Sequence, residues 1–262
     1  MHGINERKNH MSLKQTLLSG EKIHGCMLRI VRNPAIWLMA RDAGLDWAML
    51  DCEHGNYDFE TLHDMFVMAQ AVGMEGFVRV PVGTKEWISR VLDAGATGVM
   101  VPMVETKEYA QEIAGFAKYT PIGKRGFVGM SAHNNYHAGK PQDIMTAQND
   151  SVLAIVQIET KKAVDNVDEI ASVNGVDVLF VGPADLSISL GIPGDLTNPI
   201  ELEAIRKVAA ACRRHGKYLG LLGNLDLLEH FREDLNMVMV SDDANMLIAG
   251  LAKTMEVHKK IH

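Results

Sequence analysis

Four of the short apolar runs in this chain contain or end in side chains that an apolar core rejects. One closes Leu50-Asp51-Cys52-Glu53-His54, and a second contains Val78-Arg79-Val80-Pro81. A third closes Val156-Gln157-Ile158-Glu159, and a fourth passes into Val181-Gly182-Pro183-Ala184-Asp185. Read as strands, they place Gln157 and Glu159 two apart on one face, with Ile158 on the other. Arg79, between two valines, is an interior guanidinium that would cost on the order of 3–5 kcal/mol without an anionic partner. It must meet a carboxylate, Glu53 or Glu159 or one on a ligand. Glu159 and Asp185 are hard oxygen donors, suited to Mg²⁺ or Mn²⁺ (Co²⁺ as a third choice) rather than to a thiolate metal. Such an ion polarises a carbonyl, Arg79 adds positive charge where an enolate oxygen develops, and His54 is of the side-chain type suited to proton transfer. Enolate chemistry on an oxo acid follows, with aldol cleavage and decarboxylation both open. Any one of these residues is as readily half of a structural ion pair. A set drawn from four runs and sharing one end is harder to obtain from packing.

The elements that must hold these side chains form a regular series. Apolar runs at Gly25–Ile30, Trp47–Glu53, Gly76–Pro81, Gly98–Val104, Leu153–Glu159, Val176–Val181, Tyr218–Leu222 and Met237–Val240 are continuous rather than alternating, as in parallel strands covered on both faces. Helix-patterned segments separate them. Asn33, Asp58 and Asn198 are suited to cap helices, and Gly44, Gly73, Gly95 and Gly216 to close them. Eight strands, each followed by a helix, predict an α/β fold of the eight-fold (β/α) TIM-barrel type, whose chemistry sits at the C-terminal ends of the strands. A doubly wound sheet competes, but eight parallel strands would crowd it and no Gly-x-Gly-x-x-Gly turn is present. Lys118 to Asp150 reads as a long insertion without structure between the fourth and fifth strands, of the kind that is usually functional or disordered.

The remaining features exclude more than they propose. Twenty-six Lys and Arg against 33 Asp and Glu leave a net charge of −7, which disfavours nucleic acid as a partner. No apolar stretch approaches the ~18 residues of a membrane span. Residues 1–11 form a polar extension without the apolar stretch of a secretory signal. Cys26, Cys52 and Cys212 are odd in number and far apart, which fits a reducing cytoplasm. A Schiff-base mechanism needs a lysine inside the barrel, yet Lys217 sits at the wrong end of its strand and Lys161 reads as the solvated start of a helix. His133 and His137 have the spacing of a helical metal pair, but Asn134, Asn135 and Tyr136 between them argue for a loop.

Asp46-Trp47 leading to Asp51-Cys52-Glu53-His54, then Arg79-Val80-Pro81, Leu92-Asp93-Ala94-Gly95-Ala96, Val101-Pro102-Met103-Val104-Glu105, Gln157-Ile158-Glu159-Thr160 and Gly182-Pro183-Ala184-Asp185-Leu186-Ser187 together resemble the HpcH/HpaI family of class II pyruvate aldolases. The resemblance runs from about residue 12 to the C-terminus and implies one barrel domain over residues 12–262. It implies Glu159 and Asp185 as metal ligands, His54 as proton acceptor and Arg79 as the residue stabilising the enolate. Gln157 and Ala184 match substrate-binding positions, with Asp185 beside them. Asp93 matches an acid that raises the basicity of the histidine, across a subunit contact, and Asp51 one that helps to orient it. The reaction implied is reversible cleavage of a 4-hydroxy-2-oxo acid to pyruvate and an aldehyde. A decarboxylase of oxo acids and a non-catalytic oxo-acid binder are the alternatives. The family also implies a homo-oligomer, trimer or homohexamer, with the last helix, Asn245–Ile261, exchanged between subunits. Met27-Leu28-Arg29-Ile30-Val31-Arg32 and Met130–His137 depart from the family's pattern, and both are expected to face the aldehyde.

Overall fold

The computed structural model describes residues 12–260; the extension at residues 1–11 lies outside them, as does Ile261 at the end of the expected exchanged helix. Eight parallel strands close into a barrel in sequence order. They are β1 (Ile23–Leu28), β2 (Trp47–Asp51), β3 (Glu75–Arg79), β4 (Gly98–Val101), β5 (Leu153–Ile158), β6 (Val178–Val181), β7 (Tyr218–Leu222) and β8 (Leu235–Asp242). The helices are α1 (Leu13–Leu18), α2 (Ile36–Asp42), α3 (Phe59–Ala71), α4 (Lys85–Asp93), α5 (Lys107–Ala117) and α6 (Pro141–Ser151). They continue as α7 (Lys161–Asp165), α8 (Val167–Ala171), α9 (Pro183–Ser189), α10 (Pro199–His215), α11 (Leu225–Glu229) and α12 (Asp243–His258). The expected eight-fold barrel is therefore the fold.

Two apolar layers hold it. One lies between strands and helices; the other fills the barrel itself with Ile23, Met27, Trp47, Met49, Phe77, Met100, Ile155, Phe180, Met237 and Met239. Because both faces of each strand are covered, β2, β4 and β5 are buried along their whole length. Aromatic rings fit inside only because glycine stands opposite them: a side chain at Gly25 would collide with the Trp47 ring, and one at Gly220 with Phe180. At the lower end α1 lies across the barrel and pushes Leu17 into the interior layer.

Local expectations mostly hold. Asp58 and Asn198 accept N–H bonds at the starts of α3 and α10, and Gly216 closes α10 in the left-handed region. Asn33 caps no helix; its side chain accepts the Ala35 N–H in a turn, and α2 begins at Ile36. Several strands end sooner than their apolar runs, leaving Glu53, Pro81, Val104 and Glu159 beyond β2, β3, β4 and β5. The segment 118–150 is not structureless, since it contains a turn of 3₁₀ helix at Ala132–Asn134 and most of α6. Following α5 and leading into β5, it also lies at the lower end of the barrel. Within its own chain Met130–His137 is therefore remote from the strand C-termini, where the aldehyde was expected. α12 leaves the barrel surface altogether: beyond Ala244 all its residues are exposed, Ile248 and Leu251 at 66% each.

Glu75, at the foot of β3, accepts the Leu13 N–H through Oε1 at 2.7 Å, while its Oε2 is shut off from solvent without a partner. Burial pushes its pKa from 4.5 up to about 7, against the opposing bond from the Leu13 N–H. The folded protein thus binds this proton more tightly than the unfolded chain, and stability is lost as pH rises from about 4.5 through 7. Glu75→Gln keeps the acceptor for Leu13 and removes the charge. Thermal melts should show it about 1–2 kcal/mol more stable than wild type at pH 8, with the gain gone near pH 5.

Candidate active site

The two-residue period of the strands sorts the polar side chains. Above the interior layer of Met49, Phe77 and Ile155, the next inward positions are Asp51, Arg79 and Gln157, all buried. β2 and β3 pair with Asp51 directly opposite Arg79. The guanidinium takes both carboxylate oxygens, Nε to Oδ1 at 2.9 Å and Nη2 to Oδ2 at 2.7 Å. Its third edge turns to Glu53, with Nη1 3.2 Å from Oε2. Burial opposes the charge on Arg79, but the Asp51 bonds and the charges of Asp51, Glu53 and Glu159 outweigh it and hold the pKa above its ordinary value. Asp51 is thus the main partner of Arg79. It meets His54 through that residue's backbone N–H, at 3.4 Å, rather than through the ring.

Glu159, one step beyond β5, is 3% exposed. Its Oε1 accepts the Met103 N–H at 2.7 Å and its Oε2 accepts the Gln157 amide. Met103 directs that N–H from a left-handed backbone, φ 55°, rare for a residue with a side chain. Burial lifts the Glu159 pKa to about 7; Glu53 and Asp185 add to the rise, and the Met103 N–H and Arg79 oppose it. Glu53 is also raised, by burial first, with Arg79 and His54 lowering it and Asp51 and Asp185 raising it. Glu53, read from the sequence only as an anion for Arg79, therefore stands between Arg79 and His54, whose Nε2 is 3.7 Å from its Oε2. The signal was present in the Asp-x-Glu-His spacing. His54 itself is exposed, as are Ala184 and Asp185 on the first turn of α9. Helix geometry leaves backbone N–H groups of that turn without intrahelical partners.

This arrangement fits a hard divalent cation. The charges of Glu53 and Asp185 raise the cost of ionising Glu159, and that of Asp185 raises it for Glu53, which a cation would relieve. The buried Oε1 of Gln157 has no partner, so an acceptor is left over at the same spot. Gly182 lies so close that an added Cβ would sit 2.7 Å from both Gln157 Nε2 and Glu159 Oε2. Among the described residues no three His, Cys, Asp or Glu side chains are grouped as a complete ligand set. Glu159 and Asp185 would share the ion with water and substrate oxygens.

Other candidates fall outside the mouth. Asp93, at the far end of α4, binds Arg125 Nη2 at 2.6 Å and does not meet His54 of its own chain. His133 is buried against Ser131 and His137 is exposed, so the pair forms no metal couple. Lys161 is exposed and paired with Asp165, while Lys217 donates to the Val173 and Val176 carbonyls at the lower end. The Cys52 thiol is pushed up to about 12 by burial and the Asp51 charge, which removes it as a nucleophile.

The family model for "HpcH/HpaI aldolase/citrate lyase" matches residues 30–248. The chain belongs to this family. It is 35% identical over 241 residues to a hydroxypyruvate/pyruvate aldolase of Roseobacter denitrificans, covering 92% of this chain and 90% of that one. It is 38% identical over 187 residues to the 2-keto-3-deoxy-L-rhamnonate aldolase of Escherichia coli K12, 70% of this chain and 68% of that one. The crystal structure of an HpcH/HpaI aldolase from Desulfitobacterium hafniense superposes with a TM-score of 0.91 at 34% identity, over 96% of this chain and 98% of that one. The chain is accordingly an aldolase-type carbon–carbon lyase.

Gly182→Ala tests the fit directly. The extra methyl should lower Mn²⁺ affinity by about 10- to 100-fold, read by electron paramagnetic resonance, while the barrel's circular dichroism stays unchanged.

Proposed function

We propose that the mouth of this barrel reversibly cleaves a 4-hydroxy-2-oxo acid to pyruvate and an aldehyde, with Glu159 and Asp185 holding a divalent ion. The buried Glu159 carboxylate, with the unpartnered Oε1 of Gln157 beside it and the fixed Arg79 guanidinium, carries the reading. Mg²⁺ or Mn²⁺ is the ion such oxygen donors select, with Co²⁺ a further choice, and it would supply Lewis acidity to the ketone and carboxylate of the oxo acid. Arg79, clamped by Asp51, offers the N–H groups of its outer edge to the oxygen that becomes negative as the enolate forms. The Gln157 amide holds Glu159 in place, and the first turn of α9 offers the backbone N–H of Ala184 to the substrate carboxylate. His54 accepts the 4-hydroxyl proton as the C3–C4 bond breaks; its exposure lets the aldehyde leave on that side. Reprotonation at C3 gives pyruvate. An Asp93 carboxylate reaching His54 must come from another subunit, since its own lies at the opposite end of the barrel.

The same reading makes the protein a homo-oligomer, trimer or hexamer. Leu247, Leu251 and Met255 form an exposed stripe at helical spacing along α12, beside Ile248, and a second copy of this chain would cover it. We place the enzyme in the cytoplasm, the compartment that three well-separated thiols suit.

Metal-stripped enzyme, incubated with pyruvate and a panel of aldehydes, should form adducts only after Mg²⁺ or Mn²⁺ is restored. Glu159→Ala should lower kcat/KM at least about a hundredfold. Full turnover by that variant, or release of CO₂ rather than an aldehyde from the favoured oxo acid, would displace the reading. Leu251→Glu should shift the mass in sedimentation toward a smaller species; an unchanged mass would remove α12 from the assembly.

A further inference from the structure

The loop between β1 and α2, residues 29–35, lies beside the mouth and is held with unusual firmness. Asp243, the first residue of α12, is 3% exposed and spends its carboxylate on this loop. Oδ1 accepts the Arg29 N–H at 3.0 Å, and Oδ2 accepts the Ile30 and Val31 N–H groups at 2.9 Å each. Its neighbour Asp242 binds the Arg29 guanidinium at 2.7 Å. From the other side the Tyr57 hydroxyl donates to the Val31 carbonyl at 2.8 Å. Gly55 then presses on the Arg29 backbone so closely that a Cβ there would lie 3.1 Å from the Arg29 oxygen. Three consecutive N–H groups that would otherwise face water or a neighbouring strand are thus given to one buried anion, a charge-assisted arrangement.

Position gives this clamp a meaning for the reaction. Gly55 follows His54, so the wall formed by residues 29–31 stands directly beside the segment carrying the proton acceptor. Glu159 and Asp185 follow β5 and β6, across the barrel from β1 and β2. The oxo-acid end of a substrate bound to those acids therefore lies on one side, and the end whose hydroxyl His54 deprotonates lies on the side of the loop. We propose that Asp243 is a positioning residue for the aldehyde half of the site: it fixes residues 29–31 as a rigid wall beside His54, so that the seating of α12 sets which aldehyde is accepted. This rests on the aldolase reading above.

Two half-reactions separate the roles. Exchange of pyruvate methyl protons in D₂O, followed by NMR with metal-loaded enzyme, reads enolisation without any aldehyde. Aldol addition under saturating pyruvate reads the other half. Asp243→Asn should speed amide exchange at residues 29–31 and raise the KM for the aldehyde by about tenfold or more, leaving pyruvate proton exchange within about twofold of wild type. Tyr57→Phe, which removes only the opposite anchor, should move the same quantities in the same direction by less and serves if the first variant does not fold. Faster amide exchange with an unchanged aldehyde KM would overturn the proposal, and so would a parallel fall in both half-reactions. Wild-type enzyme that neither exchanges pyruvate protons nor adds aldehydes would instead overturn the aldolase reading itself.

Discussion

The site depends on one contact, the two-pronged bond between Arg79 and Asp51 across adjacent strands. A buried ion pair adds little to stability on balance, because removing both charges from water costs about as much as their attraction returns. What this pair supplies is direction. With Nε and Nη2 committed to Asp51, the guanidinium cannot rotate, and its remaining edge faces Glu53 and the open end of the barrel. The interior layer directly below is apolar, so these charges act through a medium that weakens them less than water would.

The barrel interior thereby divides by height. Its lower layers are Met, Phe, Ile and Trp, and they hold the strands together; its top layer is polar and carries the chemistry. The division has an electrostatic cost, since Glu159 is buried with the charges of Glu53 and Asp185 both opposing its ionisation. The Met103 N–H, the Gln157 amide and Arg79 partly offset it, and Met103 adopts a backbone conformation rare for its type in order to contribute. A neutral, well-packed barrel would need none of these devices. Their concentration around Glu159 marks where fold and reactivity pull apart.

Much of this was legible in the residues. The two-residue spacing of Gln157 and Glu159 and the shared end of four polar-tipped runs follow from strand geometry alone. Of the partners of Arg79, Glu53 was legible and Asp51 was not: Asp51 stands opposite it only because of the stagger between β2 and β3, which no single strand reveals. Strand ends were overshot because Glu53 and Glu159 continue the inward alternation after the ladder has stopped. α6 was missed since its sequence, Pro-Gln-Asp-Ile-Met-Thr-Ala-Gln-Asn-Asp-Ser, has no apolar stripe; its one buried residue is Asn149, whose side chain bonds the Tyr119 backbone. The lower position of residues 118–150 could have been deduced, because a segment leaving a helix for a strand must lie at the strand's start. The left-handed turn at Met103 carries no sequence signal at all.

Leu17 gives the molecule a further property. It completes the packed interior layer at the lower end, so the barrel offers no passage and the polar mouth is the way in. If pyruvate forms against buried Arg79 and Glu159 and the aldehyde beside exposed His54, the outer fragment obstructs the inner one. The order of departure is then a matter of queueing: aldehyde first, pyruvate second, and in synthesis pyruvate must be seated before its partner arrives.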